Sequence, residues 1–389
     1  MTAVNARFYL LFCFICFCQL SVWSIEQVDS FRTDTVKWMR SVRHSTAVEG
    51  ISATYKKRKY KFNEIDTTYI EPQHYNFTVM LQNTNSYELY QITSKNGQRI
   101  SFAPETTFKV GPYFGWRWVF LGYTFDVRHL NFKTNKSQRQ EYDFSIYSSM
   151  VGVDLYYRKT GSDYLIRDIS TKQNINTSPM EGQAFNGLQS NIKGFNVYYI
   201  FNHRRFSYPA AFSQSTVQRR SVGSVLLGIG YTKHTLSVDW ASLNHLMEEH
   251  LGKDITKSII DSTLTFGKIK YKNFSITGGY AYNWVFARNW LLSGSIAIGA
   301  AYKQQIGEVE RKRFSFREFS FKNINFDATY RLGLVWNNTR WYAGASSIFH
   351  AYNYRQDHFS TNNFFGNINL YVGFNFDKKA KQRKKKKKQ

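Results

Sequence analysis

From Phe364 to Phe376 the chain alternates without a break. Phe364, Gly366, Ile368, Leu370, Val372, Phe374 and Phe376 form one row, and Phe365, Asn367, Asn369, Tyr371, Gly373 and Asn375 form the other. A period of two belongs to a strand with one mostly apolar face and one polar or small face. The pattern recurs at Phe326, Ala328, Tyr330, Leu332, Leu334 and Trp336, interleaved with Asp327, Thr329, Arg331, Gly333 and Val335, and again at Trp290, Leu292, Gly294, Ile296, Ile298, Ala300 and Tyr302. In a water-soluble sandwich a second sheet would cover the apolar row. In a transmembrane barrel that row meets lipid while the small and polar row lines the interior.

Carried along the chain, the pattern predicts strands at roughly 74–83, 86–94, 98–103, 105–113, 117–129, 141–158, 163–169, 190–202, 217–232 and 235–240, then roughly 263–271, 274–287, 290–303, 321–336, 340–353 and 363–376. Some are too short to span. The expectation is therefore an all-β chain forming an antiparallel transmembrane barrel of about 12 strands, within about 10–14, the even count being usual for bacterial barrels. Leu243, Leu246, Met247, His250 and Leu251 give a helical apolar face between Asp239 and Gly252, which predicts one surface or plug-like helix. Asn96-Gly97 and Asn337-Asn338 favour the positive φ angles of two-residue hairpin turns. Tight connections at 288–289 and 337–338 alternate with longer polar ones at 304–320 and 354–362, as periplasmic turns alternate with external loops. Counting back from a periplasmic C-terminus places both 206–216 and 241–261 on the periplasmic side.

Composition narrows this reading. The 389 residues hold only five prolines and no Pro- or Ser-rich linker, which favours one large β unit. Aromatic residues reach 18%, and many of the Tyr and Trp sit near segment ends, as interfacial girdles require. Mean hydropathy is −0.46. Beyond the extreme N-terminus no apolar run is long enough for a spanning helix, so any span is β. Residues 1–24 read as a secretory signal, with Arg7, an apolar core from Phe8 to Cys18 and cleavage after Ser24. Residues 25–72 read as a polar periplasmic extension, 73–376 as the barrel and 377–389 as a basic tail. All three cysteines, Cys13, Cys16 and Cys18, fall in the signal, so the mature chain has no thiol for disulfide or thiolate chemistry.

The formal charge of +25 does not point to nucleic acid. Eight Lys and one Arg lie in 378–389, and the rest is spread over loops such as Lys56-Lys57-Arg58-Lys59 and Arg311-Lys312-Arg313, with no nucleic-acid-binding motif around them. The expected partners are outer-membrane lipid and the barrel insertion machinery.

Candidate chemistry is sparse. His245, Glu248, Glu249 and His250 suggest a metal site, but the histidines stand five apart where a metalloprotease helix needs four, so their side chains diverge. His234, His350 and His358 have Ser237, Ser347 and Ser360 nearby, in no motif of a membrane hydrolase. Gly228-Ile229-Gly230 and Gly278-Gly279 lack any phosphate-binding pattern and fit strand bending or close packing. Neither a catalytic motif nor a cofactor motif is found. Arg204, Arg205, Arg219 and Arg220 are candidates for binding an anion or lipid headgroup through charge-assisted hydrogen bonds, or for flanking a turn as solvated charges.

The string from Arg204-Arg205-Phe206-Ser207-Tyr208-Pro209-Ala210-Ala211-Phe212-Ser213-Gln214 to Gln218-Arg219-Arg220-Ser221-Val222-Gly223-Ser224 resembles an uncharacterised family of Bacteroidetes outer-membrane barrels, catalogued as a domain of unknown function (family 4421). Gly279-Tyr280-Ala281-Tyr282-Asn283-Trp284 with Asn289-Trp290-Leu291-Leu292 is similar to that family's second recurring block. The resemblance spans about 30–376. It implies a Gram-negative outer-membrane barrel and no known activity. One departure is the basic tail after Phe376, where such barrels commonly end on the aromatic read by the insertion machinery.

The function expected is thus an outer-membrane barrel, acting as a narrow solute pore or as a structural element of the envelope. A barrel-embedded lipid-modifying enzyme and a soluble periplasmic β protein are the alternatives. Interior-facing Ser293, Ser295, Ala297, Gly299 and Gly333 mixed with Lys303, Asp327 and Arg331 predict no wide channel, and small anion-favouring conductance if any.

Overall fold

The computed structural model describes residues 64–379 apart from 117–118, 123–124, 127–138, 162, 172–174, 254–255, 257–266, 306–323 and 356–358. The signal with its Ser24 site, most of the extension and the Lys-rich tail beyond Lys379 lie outside the described residues. The chain begins with β1 (Ile70–Pro72), β2 (Tyr75–Ser94), β3 (Arg99–Pro104), β4 (Thr107–Trp116), β5 (Val119–Gly122), β6 (Phe125–Asp126), β7 (Gln140–Tyr147), β8 (Val151–Lys159), β9 (Tyr164–Ser170) and β10 (Leu188–Ile200). A short helix α1 (Pro209–Phe212), β11 (Thr216–Gln218), β12 (Val222–Val238) and a longer helix α2 (Trp240–Leu251) follow. The last third holds β13 (Ile269–Ala287), β14 (Trp290–Gln305), β15 (Ile324–Asn337), β16 (Trp341–Arg355) and β17 (Phe359–Lys378).

Every pairing is antiparallel, and the main sheet runs β5-β4-β2-β17-β16-β15-β14-β13-β12-β10-β8-β7. That path has twelve strands, matching the number the alternation predicts. The sheet curls until β8 faces β15, β16 and β17 across the interior: Tyr156 and Tyr352 share a 2.6 Å hydroxyl hydrogen bond, and the Arg158 guanidinium lies 4.7 Å from the Phe365 ring centre. The result is an antiparallel transmembrane β-barrel. Three predicted boundaries are corrected. The divisions that the pattern places at 84–85, 233–234 and 272–273 are not breaks: β2, β12 and β13 each run through them, and at two of them an inward side chain is held, Thr84 donating to Asn369 Oδ1 at 2.9 Å and His234 contacting Ser190 and the Tyr271 hydroxyl. Conversely 141–158 is two strands, broken at 148–150, where the Ser148 hydroxyl accepts from the backbone N–H groups of Met150 and Val151.

Merging those strands moves α2. It lies between β12 and β13, at the opposite end of the barrel from the 201–221 connection, so the expectation that 206–216 and 241–261 share one end is wrong. The helix itself forms where expected, with Asp239 as N-cap accepting from the Ser242 N–H and Gly252 as C-cap at φ 88°. It does not plug the lumen from the turn side. Leu243 and Met247 instead join a buried apolar cluster with Phe102, Tyr164, Met180 and Phe185 that caps the long-connection end. Turn chemistry also departs in one place: Gly97 has the expected positive φ, but at the β15–β16 hairpin the positive φ falls on Thr339. There Asn337 and Asn338 act through their side chains, which accept from the Thr339, Arg340 and Trp341 N–H groups.

The two faces sort as the alternation predicts. Phe326 is 69% exposed, Ile276 67% and Leu332 53%, whereas Ser293 and Arg331 on the interior rows are 0% and 2% exposed. An apolar band this wide around a β-sheet is the surface that a bilayer covers.

Candidate functional site

The interior is filled by side chains, and its sequence logic is a pairing of tyrosine with glycine on neighbouring strands. Tyr198 stands opposite Gly152, and Tyr342 opposite Gly373. In both pairs a Cβ on the glycine would overlap the tyrosine ring, so only glycine lets the ring lie flat against the wall. Several of the charges inside are matched. Arg331 forms an ion pair with Asp154, which also accepts from the Ser145 hydroxyl at 2.7 Å. Arg158 pairs with Asp143 at 2.5 Å and Glu141 at 3.4 Å, and Lys109 reaches Glu141 at 3.1 Å.

The 201–221 connection, holding the most distinctive motif of the sequence, folds into the turn end of this interior. Pro209 in the first turn suits α1, since its missing N–H would have no helical partner there. Phe206 and Tyr208 are fully buried, with ring centres 5.1 Å apart, and Ala210 and Ala211 pack on Leu291 and Val335 of the wall. Asn283, from the second motif block, donates to the Ser207 carbonyl at 2.9 Å and to Gln218 Oε1 at 3.0 Å. The two motif blocks thus meet as plug and wall. Gln214 follows α1 with φ 53°, a left-handed conformation that normally selects glycine. Its amide accounts for the exception: Nε2 donates to the Ala211 carbonyl at 3.2 Å and to the Tyr371 hydroxyl at 2.5 Å, tying plug to wall.

Between plug and wall lies a cavity of about 260 Å³, bordered by residues that include Gln82, Tyr113, Asp143, Phe212, Gln214 and Asn369. Sequence reading had placed Asn369 and Tyr371 on the interior row, but the cavity also needs Asp143 and Gln214, whose roles depend on long-range curling and on a loop fold without periodicity.

The four candidate arginines gather outside the plug. Arg204 pairs with Glu64 at 3.0 Å, Arg205 with Asp66 at 3.3 Å, and Arg219 with Glu71 and, at 2.9 Å, with Asn289 Oδ1. Arg205 and Arg220 lie 5.1 and 5.6 Å from the Tyr69 ring centre. β1 pairs with β11, so residues 64–72 form a strap across the base of the plug. Hydrogen bonds from the Thr68 hydroxyl and N–H, and then from Arg205, hold the Asp66 carboxyl below its usual value.

The remaining sequence candidates are placed as follows. His245 and His250 sit on α2, and among the described residues no group of three or more His, Cys, Asp or Glu side chains could hold a metal. His234 Nε2 lies 3.0 Å from Ser190 Oγ, and its Nδ1 contacts the Tyr271 hydroxyl; Ser237 is not the partner. His234 and Ser190 are 2% and 4% exposed, enclosed in the packed interior. His350 Nδ1 lies 3.3 Å from Thr329 Oγ1, and His358 falls outside the described residues.

A curled antiparallel sheet with an apolar exterior and a polar interior filled largely by side chains defines the class of integral β-barrel membrane proteins. Residues 64–376 match the domain of unknown function DUF4421, and the chain belongs to that family. Among solved structures it is similar to the outer membrane protease OmpT from Escherichia coli, at 9% identity over 77% of this chain and 97% of that one, with a TM-score of 0.31. It is also similar to the outer membrane protein OprG from Pseudomonas aeruginosa (7% identity, 79% and 98% of the chains, TM-score 0.23) and to the Pseudomonas putida toluene transporter TodX (9%, 78% and 91%, TM-score 0.21). These likenesses concern the barrel fold alone. Comparison with curated proteins returns no match.

Proposed function

We propose that this protein resides in the outer membrane as a closed barrel, with the tight turns, strap and plug facing the periplasm and α2 facing outward, and that it admits a small solute into its interior without conducting freely. The observation that carries this reading is the double closure. The Phe206–Gln214 plug occupies one end, and the apolar cluster under α2 fills the other. An interior packed to that extent suits a narrow, gated path or an envelope element and leaves no room for a wide water column. In this reading Arg204, Arg205 and Arg219 serve first to hold the strap, and an anionic headgroup would have to displace Glu64, Asp66 or Glu71 to reach them.

The test is reconstitution of the full mature chain into planar bilayers and liposomes. We expect the folded protein to require detergent for extraction, to migrate faster on gels when unheated, and to show at most small conductance. Passage of large neutral sugars at porin-like rates, or solubility without detergent, would refute it.

A further inference from the structure

We infer that a row of lysines on the outer face of the barrel, at the α2 end of the lipid-facing band, is a binding site for a membrane lipid whose headgroup carries a phosphate monoester; that this lipid belongs to the outward leaflet rests on the orientation proposed above. Strand register builds the row. Lys193 on β10 stands directly opposite Lys233 on β12, and Lys233 opposite Lys272 on β13. Tyr157 and Tyr142 continue the row on one side and Gln304 on the other. In the next row toward α2, Lys159 on β8 and Lys270 on β13 flank Asn191 and Thr235. Cβ atoms directly opposite on neighbouring strands lie about 4.5–5.5 Å apart, so the three aligned ammonium groups repel one another. None of the five lysines forms an ion pair among the described residues, whereas Arg204, Arg205 and Arg219 are each matched by a carboxylate. A like-charged row without counter-ions is destabilising until an anion covers it.

Depth says which anion. One outward position nearer the turn end, Leu155, Phe195, Tyr231 and Phe274 form an apolar row in register with one another. The Phe195 and Tyr231 ring centres lie 6.0 Å apart, and those of Tyr231 and Phe274 5.0 Å apart. Phe195 and Phe274 are 38% and 48% exposed, as rings that meet acyl chains are. The change from aromatic to lysine within one outward position marks the passage from acyl chains to headgroups, so the ammonium groups sit at the level of lipid phosphates. Rings on the acyl side and lysines on the headgroup side fit an amphiphile, which a free ion is not. A phosphate monoester carries about −1.5 to −2 charges and three acceptor oxygens, one for each aligned lysine. A phosphodiester offers a single charge, and it leaves more of the row uncovered.

The experiment is lipid binding to the full mature chain in zwitterionic detergent micelles, counted by native mass spectrometry, with phosphatidic acid, phosphatidylglycerol and inorganic phosphate as probes. We expect phosphatidic acid to bind more tightly than phosphatidylglycerol, and inorganic phosphate not to displace it. Lys193→Gln, Lys233→Gln and Lys272→Gln together should weaken phosphatidic acid binding about a hundredfold, the sum for three lysines facing an anionic lipid, and Lys233→Gln alone about fivefold. All three face outward, and unheated gel mobility checks that each variant is folded, the single change serving if the triple one is not. Lys95→Gln with Arg288→Gln, in the β2–β3 and β13–β14 turns, should weaken binding less than about twofold. Binding that survives the triple change, equal weakening by the two turn substitutions, tighter binding of phosphatidylglycerol, or displacement by inorganic phosphate would overturn the assignment. Labelling of the two barrel ends by an impermeant reagent separates this inference from the orientation it rests on. A reversed pattern overturns the choice of leaflet and leaves phosphatidic acid binding intact, whereas the expected pattern without binding defeats the lysine row alone.

Discussion

The ion pair between Arg331 on β15 and Asp154 on β8 joins opposite walls of the barrel, and its loss should cost more when the arginine is removed than when the aspartate is. Both residues are 2% exposed. Arg331→Met leaves Asp154 with the Ser145 hydroxyl and no counter-charge, a loss of about 3–5 kcal/mol for breaking a buried pair. Asp154→Asn leaves the guanidinium 4.8 Å from the Tyr198 ring centre and 5.9 Å from that of Tyr208. Those faces retain part of the stabilisation, so this variant should lose about 1–2 kcal/mol less. The double variant carries no buried charge at either site and should recover most of the deficit, with a coupling energy of at least about 2 kcal/mol. Urea unfolding in lipid vesicles, followed by tryptophan emission, measures all four corners of the cycle. Additivity of the two single losses within about 0.5 kcal/mol would refute the view that the pair acts as a unit.

Leu332→Arg, at mid-strand on the lipid face, should cost about 2–4 kcal/mol, and Trp336→Arg, next to the turn, only about 0–1 kcal/mol; equal loss of folded barrel would contradict the depth assignment. Cysteine at Ser178, on the long-connection end, should react with an impermeant reagent on intact cells while cysteine at Arg288 should not, and the reverse pattern would invert the barrel. The strap should loosen in acid. Because the Asp66 carboxyl is depressed in the folded state, its contribution is present above the unfolded value and is lost as pH falls through the folded one, so protease cleavage between Glu64 and Pro72 should rise below about pH 4. Cleavage that is independent of pH there would remove Asp66 from the strap.

Much of the wall is legible in the sequence because a period-two pattern is a local signal and lipid rewards it on every outward position. The rows at Phe326–Trp336 and Phe364–Phe376 face as alternation says, and Arg331, Lys303 and Asp327 do point inward. Errors arose where polar residues stand within a strand. Lys233 and His234 suggest a break in β12, but His234 faces inward to Ser190 and Tyr271 and Thr232 inward to Tyr156, so the strand runs on. Counted back from the C-terminus, each false break reverses the direction of every segment before it, and the one at 272–273 in β13 is how α2 came to be expected at the wrong end. The strap was not legible at all, since the Arg219–Glu71 pair joins residues far apart in sequence and no local pattern links them.

The plug shows why a string without periodicity can be the most distinctive part of such a chain. A strand position needs only an apolar or a small polar residue, and many residues satisfy it, whereas each plug position meets a separate demand. Pro209 starts α1, and Ala211, fully buried, packs on Leu291 and Val335 of the wall. Gln214 accepts an unfavourable backbone so that its amide reaches Tyr371, and Gln218 Nε2 donates to the Arg205 carbonyl at 2.7 Å while its Oε1 takes Asn283. These demands are independent of one another, so residue types are fixed one by one. The same independence places the plug's polar contacts at single atoms and leaves it joined to the wall by few hydrogen bonds.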